Sequence, residues 1–182
     1  MIQNKEQLLL YLKMDKKALG KTYKRPRLFG DEVWKFEIIL RKHEYYTNTN
    51  SNFIMKKIYG YLHNKYGVKL GFSIPCNVFG GGLRINHYGY IVANADARVG
   101  DWCDIHQGVN IGQNILPGST PVIGENVWIG PGAKIFGKIE IGNNTMIGAN
   151  SVVCKSFKGD CRIAGNPAHI ISEIPNAYSR SL

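Results

Sequence analysis

The 182-residue chain lacks any apolar run of membrane-spanning length. Its longest early run, Leu8-Leu9-Leu10-Tyr11-Leu12, is too short for the core of a secretion signal, and no cleavage pattern follows it. No transmembrane segment and no export are therefore expected, and a cytoplasmic location is. Cysteine is scarce: Cys76, Cys103, Cys154 and Cys161 have no pair-like spacing. That argues against a disulfide framework and for free thiols in a reducing compartment. No nucleic-acid-binding motif accompanies the net charge of +10. The charge is uneven, since residues 1–70 hold 15 Lys and Arg against six Asp and Glu. A solvated basic surface explains this better than a bound nucleic acid, an anionic lipid or a phosphorylated substrate.

What the chain does have is a six-residue repeat. Ile123-Gly124, Ile129-Gly130, Ile135, Ile141-Gly142, Ile147-Gly148 and Val153 step by six without a slip. The register extends back through Ile111-Gly112, Ile105 and Val99-Gly100. A small or apolar residue follows four positions after each: Val127, Ala133, Ile139, Thr145, Ser151. This period marks a parallel β-helix, in which three hexads close one triangular coil of about eighteen residues. The branched residue points inward, the small one fills the corner, and the glycine is expected to supply backbone angles closed to other residues. Sandwich strands recur every eight to twelve residues, which does not fit. Pro117 and Pro121 interrupt the pattern, so residues 113–122 read as a loop leaving the coil.

The first 70 residues read as a basic helical segment. One short helix is expected over 4–13, with Leu8, Leu9 and Leu12 on one side. A second is expected after Asp31, whose carboxylate is placed to cap it. A linker is expected at 47–52, then a third helix with Phe53, Ile54, Ile58, Tyr61 and Leu62 inward. The coil should occupy 71–155, and 156–182 should be an irregular tail.

Four stretches carry a resemblance: Ile85-Asn86-His87-Tyr88-Gly89, His106 to Gly112, Trp128 to Ile135 and Ile147 to Val153, with Ala164-Gly165-Asn166-Pro167-Ala168 closing the set. Together they resemble the hexapeptide-repeat acyltransferases, most closely the serine acetyltransferase-like branch, over about half the chain. The resemblance implies an all-β fold class, a left-handed parallel β-helix with a short helical N-terminal segment, assembled as a homotrimer with sites between subunits. It also implies an acetyl-CoA-dependent O-acetyltransferase. The sequence departs from that branch at Asn86 and Phe72, where carboxylates are usual, at Thr120, where a histidine is usual, and in its shorter helical region. An Asn beside the base suits a neutral hydroxyl better than the ammonium of serine. The expected acceptor is therefore a hydroxyl of a sugar or surface-polysaccharide precursor, with serine as the alternative.

Acetyl transfer to an alcohol needs a base, an oxyanion donor and a groove for the pantetheine arm. His87 is the expected base. It counts to the inward register opposite Ile105, where an imidazole would be awkward, so an exposed, distorted corner is expected. His106, one coil up, is the second candidate, as base or as donor to the acceptor, against a plain outward histidine. Asn86 and Asp104 are candidates for binding the substrate, and Asp104 or Asn94 for orienting a histidine. Oxyanion donors are expected among backbone N–H groups near Gly112. Eighteen-residue counting puts Gln113, Pro131 and Ala149 in one row and Gly112, Gly130 and Gly148 in the next, a groove for acetyl-CoA. Lys155 and Arg162 are candidates for its phosphates. No metal ligands are assigned, because a zinc carbonic anhydrase needs three converging imidazoles and the coil holds only His87 and His106. A non-catalytic trimeric scaffold is the remaining alternative.

Overall fold

Stacked branched side chains build the core of this protein, and short strands follow from that stacking. The computed structural model describes residues 1–174. Three helices come first: α1 (Lys5–Ala18), α2 (Glu32–Thr49) and α3 (Phe53–Leu70). The first coils hold β1 (Phe72–Ser73), β2 (Arg84–Ile85), β3 (Ile91–Ala93), β4 (Arg98–Val99), β5 (Asp104–Ile105) and β6 (Asn110–Gly112). Next come β7 (Val122–Ile123), β8 (Trp128–Ile129), β9 (Lys134–Phe136), β10 (Glu140–Ile141), β11 (Met146–Ile147) and β12 (Val152–Val153). Finally, β13 (Cys161–Gly165) and β14 (Ala168–Glu173) close the described chain.

The strands form three sheets, the faces of a β-helix. Their orders are β1-β3-β6-β9-β12, β10-β7-β4 and β14-β13-β11-β8-β5-β2. All pairings are parallel except β13 with β14. On the third face Ile85, Ile105, Ile129, Ile147 and Ile163 stack in register. All five are essentially inaccessible to solvent. The small residues Val127, Ala133, Thr145 and Ser151 are also fully buried at the corners. Thr145 and Ser151 satisfy their hydroxyls on the carbonyls of Gly142 and Gly148, each at 2.7 Å.

The glycines after the branched residues act differently from expectation. Gly100, Gly124, Gly130, Gly142 and Gly148 do not have positive φ. They are needed because the next coil passes too close: a Cβ on Gly100 would lie 2.7 Å from the Gly124 carbonyl carbon. Left-handed backbone falls instead at the other corners, on Asn126, Asn144 and Asn150, residues that tolerate it best after glycine.

Three further expectations are corrected. The helical segment is three full helices, so the chain is not all-β. α1 reaches Ala18 and α2 runs through 47–49, leaving only residues 50–52 between α2 and α3. The region after Val153 is not irregular: Phe157 bridges to Ile141, β13 adds a rung beside β11, and β14 folds back antiparallel. Residues 175–182 of the expected tail lie outside the described residues. Finally, Phe53, Ile54, Ile58 and Tyr61 of α3 face outward, and Leu9 of α1 is exposed too. α3 packs instead through its glycine side, where a Cβ on Gly67 would meet the Phe72 carbonyl at 2.8 Å.

The helices are pinned to the coil by a buried ionic network. Arg41 Nε lies 2.7 Å from Asp15, and its Nη1 lies 3.1 Å from Glu44. The same guanidinium donates to the carbonyls of Phe79 and Gly80 in the coil. Asp15 in turn accepts from the Leu83 N–H at 2.9 Å. Beside it, burial and the Asp15 charge push the Glu37 carboxyl well above the usual range, and Glu37 accepts from the Ile85 N–H at 3.2 Å. No described helix is long and apolar enough to cross a membrane.

Candidate active site

The coil is not uniformly eighteen residues long, and this places the site. From Ile129 to Ile147 the step is eighteen, but Ile105 pairs with Ile129 and Ile85 with Ile105. The loop between β6 and β7 lengthens one turn to 24 residues, and the corner after Ile85 lengthens another to 20. In that corner, residues 86–90 connect β2 to β3, where 106–109 suffice one coil up. His87 and Tyr88 occupy the enlarged corner and are exposed. The inward partner of Ile105 is thus Ile85, not His87.

His87 and His106 come together, with ring centroids 6.4 Å apart. His106 is half-buried and packs edge-on against Trp128, centroid to centroid 4.9 Å. Its Nδ1 lies 3.0 Å from the Ile129 carbonyl oxygen. A carbonyl only accepts, so Nδ1 carries the proton, and neutral His106 offers Nε2 as a lone pair. Asn86 is tied down as well: its Nδ2 donates to the Asp104 carboxylate. Asp104 is buried and lies 3.7 Å from Arg84. Asp104 therefore braces Asn86, next to His87.

The corner opens onto a cavity of about 570 Å³ walled by the helical segment. Asn86, His87 and Tyr88 form one side, and Asp31, Trp34 and Lys69 belong to the other. Asp31 does not cap α2 with its side chain. Its carboxylate accepts instead from Lys21 Nζ and Tyr23 OH at 2.7 Å and from the Arg27 N–H at 2.8 Å. Burial would raise its pKa, but these hydrogen bonds prevail and hold it well below the usual carboxylate range. Asp31 thereby ties the basic stretch 21–27 to the start of α2, with Lys21 in the cavity wall. Arg84 and Trp34, which line the cavity with His87, and Trp128, which packs on His106, carry no sequence signal for a place in the site.

The unequal coils also rearrange the proposed cofactor rows. Gly112 pairs with Phe136, not Gly130, because the long loop shifts the register by one face. Gln113 moves with it, onto the corner that carries Lys155. Its expected place beside Pro131 and Ala149 is taken by Gln107: the Gly132 N–H bonds to the Gln107 carbonyl, and the Asn150 N–H to the Pro131 carbonyl. Gln107, Pro131 and Ala149 each stand two residues past a stacked isoleucine; one coil below, the Gly108 N–H bonds to the Tyr90 carbonyl, so Tyr90 continues the row and His87 lies in the enlarged corner just before it. Gly130 and Gly148 stand in the adjacent row, above His106. The backbone donors expected near Gly112 are consequently not on the His87 edge. Lys155 and Arg162 are not brought together either. Arg162 sits in β13 beside Met146 and reaches Ser172, whereas Lys155 lies over Phe157.

Three stacked faces and a fixed column of isoleucines make a β-helix of six-residue repeats, with paired histidines at one corner. Residues 120–155 match the family described as bacterial transferase hexapeptide (six repeats). A serine acetyltransferase of Synechococcus elongatus is 40% identical over 94 residues, covering 50% of this chain and 38% of that protein. A serine acetyltransferase of Buchnera aphidicola is 29% identical over 181 residues, covering 94% of this chain and 64% of that one. The chain thus spans less than two thirds of these relatives. The crystal structure of a serine acetyltransferase from Brucella abortus superposes with a TM-score of 0.76 at 28% identity, covering 94% of this chain and 71% of that one. These relatives are named for serine, which runs against the sugar acceptor and polysaccharide role expected from Asn86.

Proposed function

We propose that this chain is an acetyl-CoA-dependent O-acetyltransferase whose acceptor is the hydroxyl of serine, working as a homotrimer. The facing of His87 and His106 at the mouth of the cavity carries this reading. His87 takes the proton from the serine hydroxyl, and the oxygen attacks the thioester carbonyl carbon. The tetrahedral intermediate then collapses with loss of the thiolate of coenzyme A, which receives the proton from His87. His106, held by the Ile129 carbonyl and Trp128, positions the acceptor with Nε2. Asp104, the partner of Arg84 one coil up, holds Asn86 in place beside His87.

The pantetheine arm runs along Gln107, Pro131 and Ala149 towards His87, over the small residues Gly130 and Gly148. The loop at 113–121 leaves a different corner from the one that bears His87, so it is suited to cover a neighbour's site rather than its own. Gly112, Gln113 and Lys155 share that other corner and would meet the donor from a neighbouring copy. The names of the relatives support serine.

Two experiments bear on this. Purified protein given acetyl-CoA should release free thiol and form O-acetylserine with serine, and not acetylate a panel of nucleotide sugars and oligosaccharides. Efficient turnover of a sugar with none of serine would overturn the acceptor. Ala149 is exposed, so Ala149→Trp should block the donor row and abolish acetyl-CoA binding in a calorimetric titration while the thermal midpoint stays put. Normal binding by that variant would show that the row is misplaced.

A further inference from the structure

Outside the cleft, one cluster of side chains has no part in acetyl transfer. His43 on α2, His63 on α3 and Cys76 just past β1 converge from three elements. His43 Nδ1 lies 2.9 Å from His63 Nδ1 and 3.3 Å from Cys76 Sγ. One ligand atom from each residue lies within 4.8 Å of the others. A ring nitrogen offers one in-plane position, either a proton or a lone pair, yet here two partners share it. A tetrahedral zinc centre, with Zn–N near 2.0–2.1 Å and Zn–S near 2.3 Å, spaces its ligand atoms roughly 3.3–3.6 Å apart. The cluster is therefore close to ligand spacing without rearrangement of the backbone.

We propose that His43, His63 and Cys76 bind a divalent, borderline-soft transition metal, zinc above all, as a clip joining α2 and α3 to the start of the coil. Two imidazoles and a thiolate select such ions over magnesium or calcium. The Ile74 backbone is within hydrogen-bonding reach of the His63 ring, the kind of partner that usually orients a ligating imidazole. On the other ring, a Cβ at Gly60 would stand 3.2 Å from His43 Nε2. The helix thus closes off that nitrogen and leaves Nδ1 to face the cluster. A cavity of about 280 Å³, lined by His43, His63, Gly60 and Asn64, reaches the site. It provides an entry path and room for a water as fourth ligand. α3 ends at Lys69 and Leu70, which wall the cavity before His87, so the clip fixes that wall. The site stands independently of the acceptor and of the acetyl-transfer reading.

The test uses the full chain, free of any histidine tag and stripped with a chelator. Titration with Zn²⁺ should saturate at one ion per chain and raise the thermal midpoint. Co²⁺ should give a tetrahedral spectrum with a thiolate-to-metal charge-transfer band. Cys76→Ser should abolish that band, Cys154→Ser should keep it, and His63→Ala should weaken binding at least about ten-fold. Substoichiometric zinc binding, or a cobalt spectrum unchanged by Cys76→Ser, would overturn the site. If either variant fails to fold by circular dichroism, the wild-type spectrum decides: a cobalt complex without the thiolate band contradicts the proposal.

Discussion

His87→Ala should lower turnover at least about a hundred-fold, within the range positioned general bases contribute, while acetyl-CoA affinity changes little. The serine hydroxyl is too weak an acid to attack a thioester unaided. His87 is the residue of the enlarged corner that lies in the cavity wall and faces His106. His106→Ala should cost less, because that ring is held back against Trp128 and the Ile129 carbonyl. The effect should fall on kcat and kcat/KM together, the mark of an interaction made in the transition state. Near-normal turnover by His87→Ala, in a variant with unchanged oligomeric state, would transfer the role to His106.

Arg41→Ala should lower unfolding free energy by about 3–5 kcal/mol, the usual consequence of removing one partner of a buried ion pair. Arg41 is fully buried, as are Asp15 and Glu44. Without the guanidinium, two buried carboxylates and the carbonyls of Phe79 and Gly80 lose their donor. Against a typical total of about 5–15 kcal/mol, such a loss is large. Urea denaturation followed by circular dichroism measures it. A loss below about 1 kcal/mol would mean that the network is solvated rather than buried.

Much of this architecture was legible in the hexads. The isoleucines of the repeat and the small residues four positions on are the residues that stack and fill corners. Irregular coils break the eighteen-residue count. Counting by eighteen placed Gln113 beside Pro131, but a nine-residue excursion in one corner and two extra residues in another change the register. A periodic signal fixes which side chains point inward, yet inserted corners alter which ones lie above each other. The glycines were read correctly as structural and for the wrong reason, since close approach of the next coil is invisible along the sequence. On α3 the apolar stripe marks the wrong face as buried. The helix buries Gly67 and Leu70 instead, because small residues let it approach Phe72. Neither the contact of Asn86 with Asp104 nor the convergence of His43, His63 and Cys76 has a sequence signature. These residues are brought together only by the fold, across 18 residues in one case and 33 in the other.

The central claim is the location of the donor: an arm along Gln107, Pro131 and Ala149 that ends at His87. A crystal structure of the full chain with coenzyme A measures this directly. The account predicts the pantetheine arm on that row, with the thiol sulfur beside the His87 ring between two neighbouring copies. Coenzyme A whose thiol lies away from His87, along Gln113 and Lys155 alone, would contradict it.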